Sequence, residues 1–254
     1  MTTPSPIHRE VPLMSEQKII IAGHSHIVAL LGGCEEEVLS PVEGWDRFFG
    51  LHGPWPRTEH YWESLNRYAP GNSIALLWRG NEHNELFIFE QSPRFDFVPK
   101  QLQELPVADD AVIVPSALVQ DRLRYTLNSL HDVLVAARQH TDCRIGVVGT
   151  PPPKGDSDFL YRFVEQEFAP VLKHFGIQAS DIRLTAPIIR LKLWHVLQAL
   201  YKEQAEQDDV EFLPVPEAVK DQTGFLKPEF WAEDVTHANS AYGQIMLKYL
   251  AEQL

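Results

Sequence analysis

Residues 18–26 read KIIIAGHSH, and this stretch decides the fold. Its four consecutive aliphatic residues, 19–22, show no alternation with polar residues, which is typical of a strand buried on both faces of a parallel sheet. Gly23 follows and predicts a tight turn, so Ser25 comes directly after the strand. Because open α/β sheets bind ligands beyond the carboxyl ends of their strands, we expect Ser25 at the ligand-binding edge.

Short apolar runs alternate with longer helix-like stretches along the rest of the chain. We expect further buried strands of the same sheet at residues 73–78, 111–114, 144–148 and 210–215, and helices at residues 116–139, 158–175, 185–204 and 240–253. Gly176 is placed to end the second helix, and Thr185 to cap the third. The alternation predicts a three-layer α/β/α sandwich with a central, mainly parallel sheet.

The bulk composition sets limits on class and partners. We expect residues 1–17, which are polar and lack an apolar signal core, to be a disordered lead-in, and residues 18–254 to form a single domain. The formal net charge of −13 argues against nucleic acid or an anionic membrane as the main partner. Cys34 and Cys143 show no metal-type spacing, so we expect reduced thiols in a cytoplasmic protein.

A polar segment near the end of the chain, Asp234-Val235-Thr236-His237, supplies what a nucleophilic serine needs. A serine is a poor nucleophile until a base takes its proton, and a neutral imidazole such as that of His237 can do so near pH 7. Asp234, three residues upstream, could hold the ring by accepting its Nδ1 proton. The simpler explanation of these two residues is that they cap the final helix.

A third polar segment, residues 78–84 (WRGNEHN), follows another predicted strand. Asn81 could donate its amide to an oxyanion, although Asn84 is a rival and ordinary turn formation would explain both. Ser25 likewise has a simpler explanation as a helix N-cap.

These three segments resemble the blocks of the SGNH (GDSL-like) hydrolase family, in the same chain order. That family has a Gly-Asp-Ser turn after its first strand, a Gly-x-Asn-Asp turn after a middle strand, and Asp-x-x-His before its last helix. The resemblance implies a flavodoxin-like α/β/α fold and an ester hydrolase. It also implies Ser25 as the nucleophile, His237 as the base, Asp234 as its partner, and Asn81 with the Ser25 backbone as the oxyanion site.

The sequence departs from the family pattern at two blocks. His24 replaces the usual aspartate before the serine, and could replace its hydrogen bonding. The segment 79–82 (RGNE) replaces Gly-x-Asn-Asp, and the glycine of the family's remaining block could be Gly44, Gly50 or Gly53.

Several further residues crowd the same predicted edge. The candidates for substrate contact are His24, His26, Gly80, His83 and Asn84, and for the three histidines we favour a scaffolding role over a direct one. Arg79 and Glu82 could pair with each other or bind substrate, and we expect an ordinary surface pair. The aromatic residues between positions 45 and 62 could stack on a sugar or aryl group, although core packing is commoner.

The sequence therefore predicts a serine-dependent hydrolase without cofactor or metal, acting on an O-acyl ester of a small molecule or carbohydrate. Two alternatives remain open. Gly-His-Ser-His also resembles a block of metal-dependent phosphoesterases, in which His24 and His26 would be ligands, but the order of the blocks is reversed here. The fold could also serve binding without catalysis.

Overall fold

The computed structural model describes residues 16–32, 36–100, 102–139 and 143–254. Cys34 and residues 1–15 of the predicted lead-in lie outside the described residues, and the domain boundaries stay a prediction. The described strands are β1 (Ile19–Gly23), β2 (Leu39–Val42), β3 (Trp45–Leu51), β4 (Ser73–Leu77), β5 (Phe95–Asp96), β6 (Val112–Ile113), β7 (Ile145–Val148) and β8 (Glu211–Leu213).

The helices of the same ranges lie mostly between these strands. They are α1 (Val28–Leu31), α2 (Glu59–Tyr68), α3 (Glu82–Phe87), α4 (Ser116–Arg124), α5 (Asn128–Ala137), α6 (Ser157–Glu167), α7 (Ala169–Phe175), α8 (Pro187–Gln207) and α9 (Ser240–Gln253). None of these helices is long and apolar enough to cross a membrane.

The main sheet has the strand order β2-β3-β1-β4-β7-β8. All neighbouring pairs in it are parallel except β2 with β3. The order reverses at β1, since the chain first adds β3 on one side of β1 and later β4 on the other. Ligands of such sheets bind at this point of reversal, beyond the carboxyl ends of the strands.

The burial of β1 explains why an unbroken aliphatic run forms this strand. Ile20 and Ala22 belong to a core shared with α2, α4, α5 and α8, whereas Ile19 and Ile21 belong to a core shared with α1 and α9. Both faces of the strand are therefore covered by helices, and a polar residue on either face would be buried. The predicted three-layer fold with a mainly parallel sheet is confirmed.

The prediction of a buried strand at residues 111–114 is wrong. Only Val112 and Ile113 are in strand conformation, they pair with β5 outside the main sheet, and they are 50% and 52% exposed. Pro115 follows at once and precedes α4, and proline has no N–H to extend a sheet ladder. This short apolar run has the local sequence pattern of a buried strand, but it lies outside the core.

Three helix predictions also need correction. The predicted helix 116–139 is interrupted by a 3-10 turn at Tyr125–Leu127, and 158–175 divides into α6 and α7 around Phe168, with a proline in the first turn of α7. Thr185 does not cap α8, because its hydroxyl donates a hydrogen bond to the carbonyl of Phe87. Gly176 does end α7, in the left-handed conformation expected of a C-cap.

Candidate active site

Asp234 and His237 form a tightly held pair. Nδ1 of His237 lies 2.8 Å from Oδ2 of Asp234, while the backbone N–H groups of Thr236 and His237 donate to Oδ1 at 2.8 and 2.7 Å. A carboxylate on the Nδ1 side fixes the tautomer with the proton there, which leaves Nε2 as the acceptor. Nε2 is buried and has no hydrogen-bond partner among the described residues, Ser25 included.

The alternative explanation of this pair as a helix cap does not hold. Asn239 caps α9, since its side-chain oxygen accepts hydrogen bonds from the backbone N–H groups of Ala241 and Tyr242 at 3.0 and 3.2 Å. Asp234 and His237 lie before this cap and are directed at each other.

A buried lysine holds the loop that carries the pair. The ammonium of Lys154 donates hydrogen bonds to the carbonyls of Ala232 (2.7 Å) and Asp234, and to Oδ1 of Asp234 (3.1 Å). Burial by itself raises the pKa of Asp234, but the hydrogen bond and charge of His237 and the charge of Lys154 outweigh it and hold that pKa well below its ordinary value. Asp234 is therefore an anion throughout the physiological pH range.

Ser25 lies at the start of a 3-10 turn, Ser25–Ile27, which directly follows β1 and leads into α1. The position before this turn belongs to His24, so Ser25 is not its N-cap. Ser25 and Asn81 line one cavity of about 330 Å³, together with His24, Trp55, Arg57, Arg79 and others. The two predicted chemical groups at the ends of β1 and β4 thus face the same space.

His24 occupies the position of the usual aspartate and accepts a hydrogen bond there. Its Nδ1 accepts from the backbone N–H of Arg79 at 3.2 Å, and its ring packs edge-on against Trp78 at 4.7 Å between centroids. Burial, with smaller contributions from Arg79 and Arg57, lowers the pKa of His24 to about 3. A neutral imidazole that accepts through Nδ1 must carry its proton on Nε2.

The turn after β4 is shaped by a glycine. Gly80 has φ +98°, and a Cβ on it would lie 2.2 Å from Cγ2 of Thr150 and 2.8 Å from Cδ2 of His26. Only a residue without a side chain allows this approach. Asn81 follows at the N-cap position of α3, but its side chain makes no capping hydrogen bond. The side chain of Asn81 therefore does not cap α3.

The other predicted contact residues are buried and are not among the lining residues of this cavity. They are His26, Gly80, His83 and Asn84. The ring of His26 lies 5.2 Å from that of His237, and burial lowers the pKa of His26 well below its ordinary value and that of His83 to about 3. The neutral imidazole of His26 thus packs against the candidate base, and the charge of His83 acts on His26.

Glu82 is not the surface residue that the sequence predicted. Its side chain is fully buried, accepts a hydrogen bond from the N–H of Gly80 at 2.9 Å, and lies 3.4 Å from Nε of the half-buried Arg79. Burial raises the pKa of Glu82 to about 7. The prediction failed because glutamates are usually exposed, whereas the turn after β4 places this side chain in the protein interior.

A close contact joins α9 to α1. A Cβ on Gly243 would lie only 1.7 Å from the carbonyl oxygen of Ala29, so the first turn of α9 packs directly on the backbone of α1. Ala29 follows the Ser25 turn, and Gly243 follows the Asp234–His237 loop. The glycine in the Tyr242-Gly243 pair therefore sets the distance between these two segments.

Sequence reasoning missed Lys154 and Arg57. Lys154 follows β7 at the carboxyl edge of the sheet, after three prolines, and this position was the available signal. Of the three glycine candidates, Gly53 lies two residues beyond the end of β3 at the same edge, whereas Gly44 precedes that strand and Gly50 lies within it. No group of three or more His, Cys, Asp or Glu side chains among the described residues is arranged to hold a metal ion.

No protein-family model and no curated protein matches the sequence. Several solved structures, in contrast, have a similar fold. A protein from Streptococcus pneumonia named for platelet activating factor is 18% identical, with 96% of this chain and 86% of that chain covered and a TM-score of 0.50. An extracellular lipase from Streptomyces rimosus is 12% identical, with 94% and 100% covered and a TM-score of 0.52.

A GDSL-like lipase from Bacteroides thetaiotaomicron is 9% identical over 93% of this chain and 87% of that chain, with a TM-score of 0.47. The first two similarities extend over nearly the whole chain and concern the fold alone. Together with the strand order, they show that this chain shares the three-layer α/β/α fold of these two proteins.

Proposed function

We propose that this protein is a serine-dependent ester hydrolase. The observation that carries the proposal is the shared cavity of Ser25 and Asn81 at the carboxyl edge of the sheet. The prearranged Asp234–His237 pair does not line this cavity, but its imidazole lies 5.2 Å from the ring of His26, the residue after Ser25. A nucleophile, a base with a fixed tautomer and an amide donor at one edge are the parts that acyl transfer requires.

In the proposed reaction, Oγ of Ser25 attacks the ester carbonyl carbon while its proton passes to Nε2 of His237. The tetrahedral intermediate carries its negative charge on the former carbonyl oxygen, where Nδ2 of Asn81 and the backbone N–H of Ser25 donate hydrogen bonds. The intermediate expels the alcohol, which takes the proton from His237. Water then repeats the sequence on the acyl-enzyme and releases the carboxylic acid and free Ser25.

Each supporting residue has a place in this scheme. Asp234 stabilises the imidazolium that forms on His237, and Lys154 fixes Asp234 in position. The hydrogen bond between Ser25 and His237 is absent in the described structure, and catalytic hydrogen bonds commonly tighten only in the complex with substrate.

The proposed substrate is an O-acyl ester of a small molecule or carbohydrate, and the proposed location is the cytoplasm, on the cysteine argument given above. The test is incubation with a serine-directed fluorophosphonate, followed by peptide mapping. We expect one label, on Ser25, and no label in Ser25→Ala. Ser92→Ala, which removes an exposed serine that does not line the cavity, is the control and should label as the wild type does.

Hydrolysis of aryl acetates should follow the labelling. We expect Ser25→Ala to lose several powers of ten in turnover while keeping the thermal midpoint of the wild type. Wild-type turnover in Ser25→Ala would refute the proposed nucleophile. Phosphoesterase activity that needs an added metal would favour the first alternative, and ligand binding without labelling or turnover would favour the second.

A further inference from the structure

Arg57 is a rigidly held cation in the wall of the cavity that contains Ser25. Its guanidinium carbon lies 3.8 Å from the centre of the Trp55 ring and 4.2 Å from that of Tyr61. Nε donates to the carbonyl of Gly23 at 2.8 Å, and Nη1 donates to the carbonyl of Gly53. Two stacking contacts and two hydrogen bonds leave the side chain little freedom.

The charge of Arg57 is not compensated by a salt bridge. Among the described residues no carboxylate lies within salt-bridge distance of its guanidinium, and Nη2 has no hydrogen-bond partner. Glu37 is the acidic group whose charge acts on Arg57, but it pairs with His60 at 3.3 Å and accepts from Ser64. A half-buried cation without a partner is costly, and such groups are usually paired.

The other charges on the cavity wall balance each other. Arg79 pairs with Glu85 at 2.9 Å, and both line the cavity. Burial lowers the pKa of Arg57, and the charge of Glu37, which raises it, does not offset this effect. In a chain with a net charge of −13, this wall carries a local excess of positive charge beside Ser25.

We propose that the substrate of this site carries an anionic oxygen group, such as a carboxylate, which binds to Nη2 of Arg57 while the ester carbonyl lies at Ser25. This specificity rests on the proposed esterase function. The exposed ring of Trp55, which supports Arg57 from one side, packs against the same part of the substrate. The bound ester is then held at its carbonyl group by Ser25 and at its anionic group by Arg57. A neutral ester makes only the first of these two contacts.

The test compares two aryl acetates of matched shape, 4-acetoxybenzoate and 4-acetoxybenzamide. We expect the wild type to prefer the anionic ester by about tenfold or more in kcat/KM, since a hydrogen bond to a charged group contributes at that level. The preference should fall as sodium chloride is raised, because salt screens charge pairs. Arg57→Gln should remove the preference, and Arg57→Lys should retain part of it. Arg122→Gln removes an exposed positive charge that does not line the cavity and should leave the preference unchanged.

A binding measurement separates this proposal from the proposed reaction. Calorimetry with Ser25→Ala, in which neither ester is cleaved, should give a dissociation constant about tenfold lower for 4-acetoxybenzoate than for 4-acetoxybenzamide. That result holds even if Ser25 is not the nucleophile. Equal binding of the two esters in Ser25→Ala, or equal kcat/KM in the wild type, would overturn the proposal. Neither measurement uses Arg57→Gln, so the outcome does not depend on whether that variant folds.

Discussion

The ammonium of Lys154 lies 3.1 Å from Oδ1 of Asp234, and the other carboxylate oxygen lies 2.8 Å from Nδ1 of His237. One carboxylate is thus held between a buried cation and an imidazole. The two contacts have different consequences, because the imidazole belongs to the same loop whereas the lysine comes from the edge of β7. Lys154 therefore ties the loop to the sheet, and this connection can be tested separately from the chemistry.

Lys154→Met keeps the aliphatic stem and removes the cation. We expect the pKa of Asp234 to rise, because Lys154 is one of the charges that lower it. We also expect a loss of roughly 1–3 kcal/mol in the free energy of unfolding, since the carbonyls of Ala232 and Asp234 lose a donor. Carboxyl-carbon NMR titration and urea unfolding measure the two effects. An unchanged Asp234 titration would contradict the assigned contact.

The stability of the protein should depend on Asp234 in a particular pH window. The pKa of Asp234 is depressed in the folded state, so its contribution to stability is present above the unfolded pKa of about 3.9 and is lost as the pH falls towards the folded value. The difference in unfolding free energy between wild type and Asp234→Asn should therefore shrink as the pH is lowered from 6 to 3. The control is Asp132→Asn, which removes an exposed carboxylate of α5.

The unfolding free energy of Glu82→Gln, relative to that of the wild type, should depend on pH in the opposite sense. A carboxyl whose folded pKa is raised to about 7 binds its proton more tightly in the folded state, so the wild type gains stability as the pH falls from 8 to 5. We expect Glu82→Gln to be more stable than the wild type at pH 8, by roughly 3 kcal/mol at most, and to lose this advantage near pH 5. Urea unfolding at three pH values measures the difference. Glu165→Gln, on an exposed part of α6, is the charge-matched control, and parallel profiles of Glu82→Gln and wild type would refute the assignment.

Asn81→Ala should lower kcat more than it raises KM. An oxyanion donor acts on charge that develops only in the transition state, and losing one such donor costs about a hundredfold to a thousandfold in rate. Asn84 is buried and is not among the lining residues of the cavity, so Asn84→Ala should affect the thermal midpoint and leave turnover of the folded enzyme nearly unchanged. Steady-state kinetics with thermal unfolding of both variants distinguishes these effects. The reverse result would identify Asn84 as the donor.

Local patterns in the sequence predicted the frame of the fold. The isoleucine run identified β1 because both faces of that strand are covered by helices, and the three-residue offset between Asp234 and His237 is short enough for one loop to bring the side chains within 2.8 Å. The same reasoning failed at residues 111–114, since an apolar run carries no information about which strand it will pair with.

The partners of these residues could not be predicted in the same way. Lys154 lies 80 positions from Asp234, and its position after β7 indicates the edge of the sheet but not the carboxylate that it contacts. Arg57 is similar, because its stacking on Trp55 and Tyr61 depends on how the segment after β3 folds back. Contacts between distant segments are set by the tertiary fold, and only the structure supplies them.

The contact between Gly243 and Ala29 has a consequence for biosynthesis. The two segments that meet there lie about 200 residues apart along the chain, so a nascent chain still lacking α9 leaves this part of α1 without its packing partner. Contacts of such long separation are slow to form because chain closure must precede them. On the ribosome, the contact between α1 and α9 can therefore form only after residues 240–253 have been synthesised.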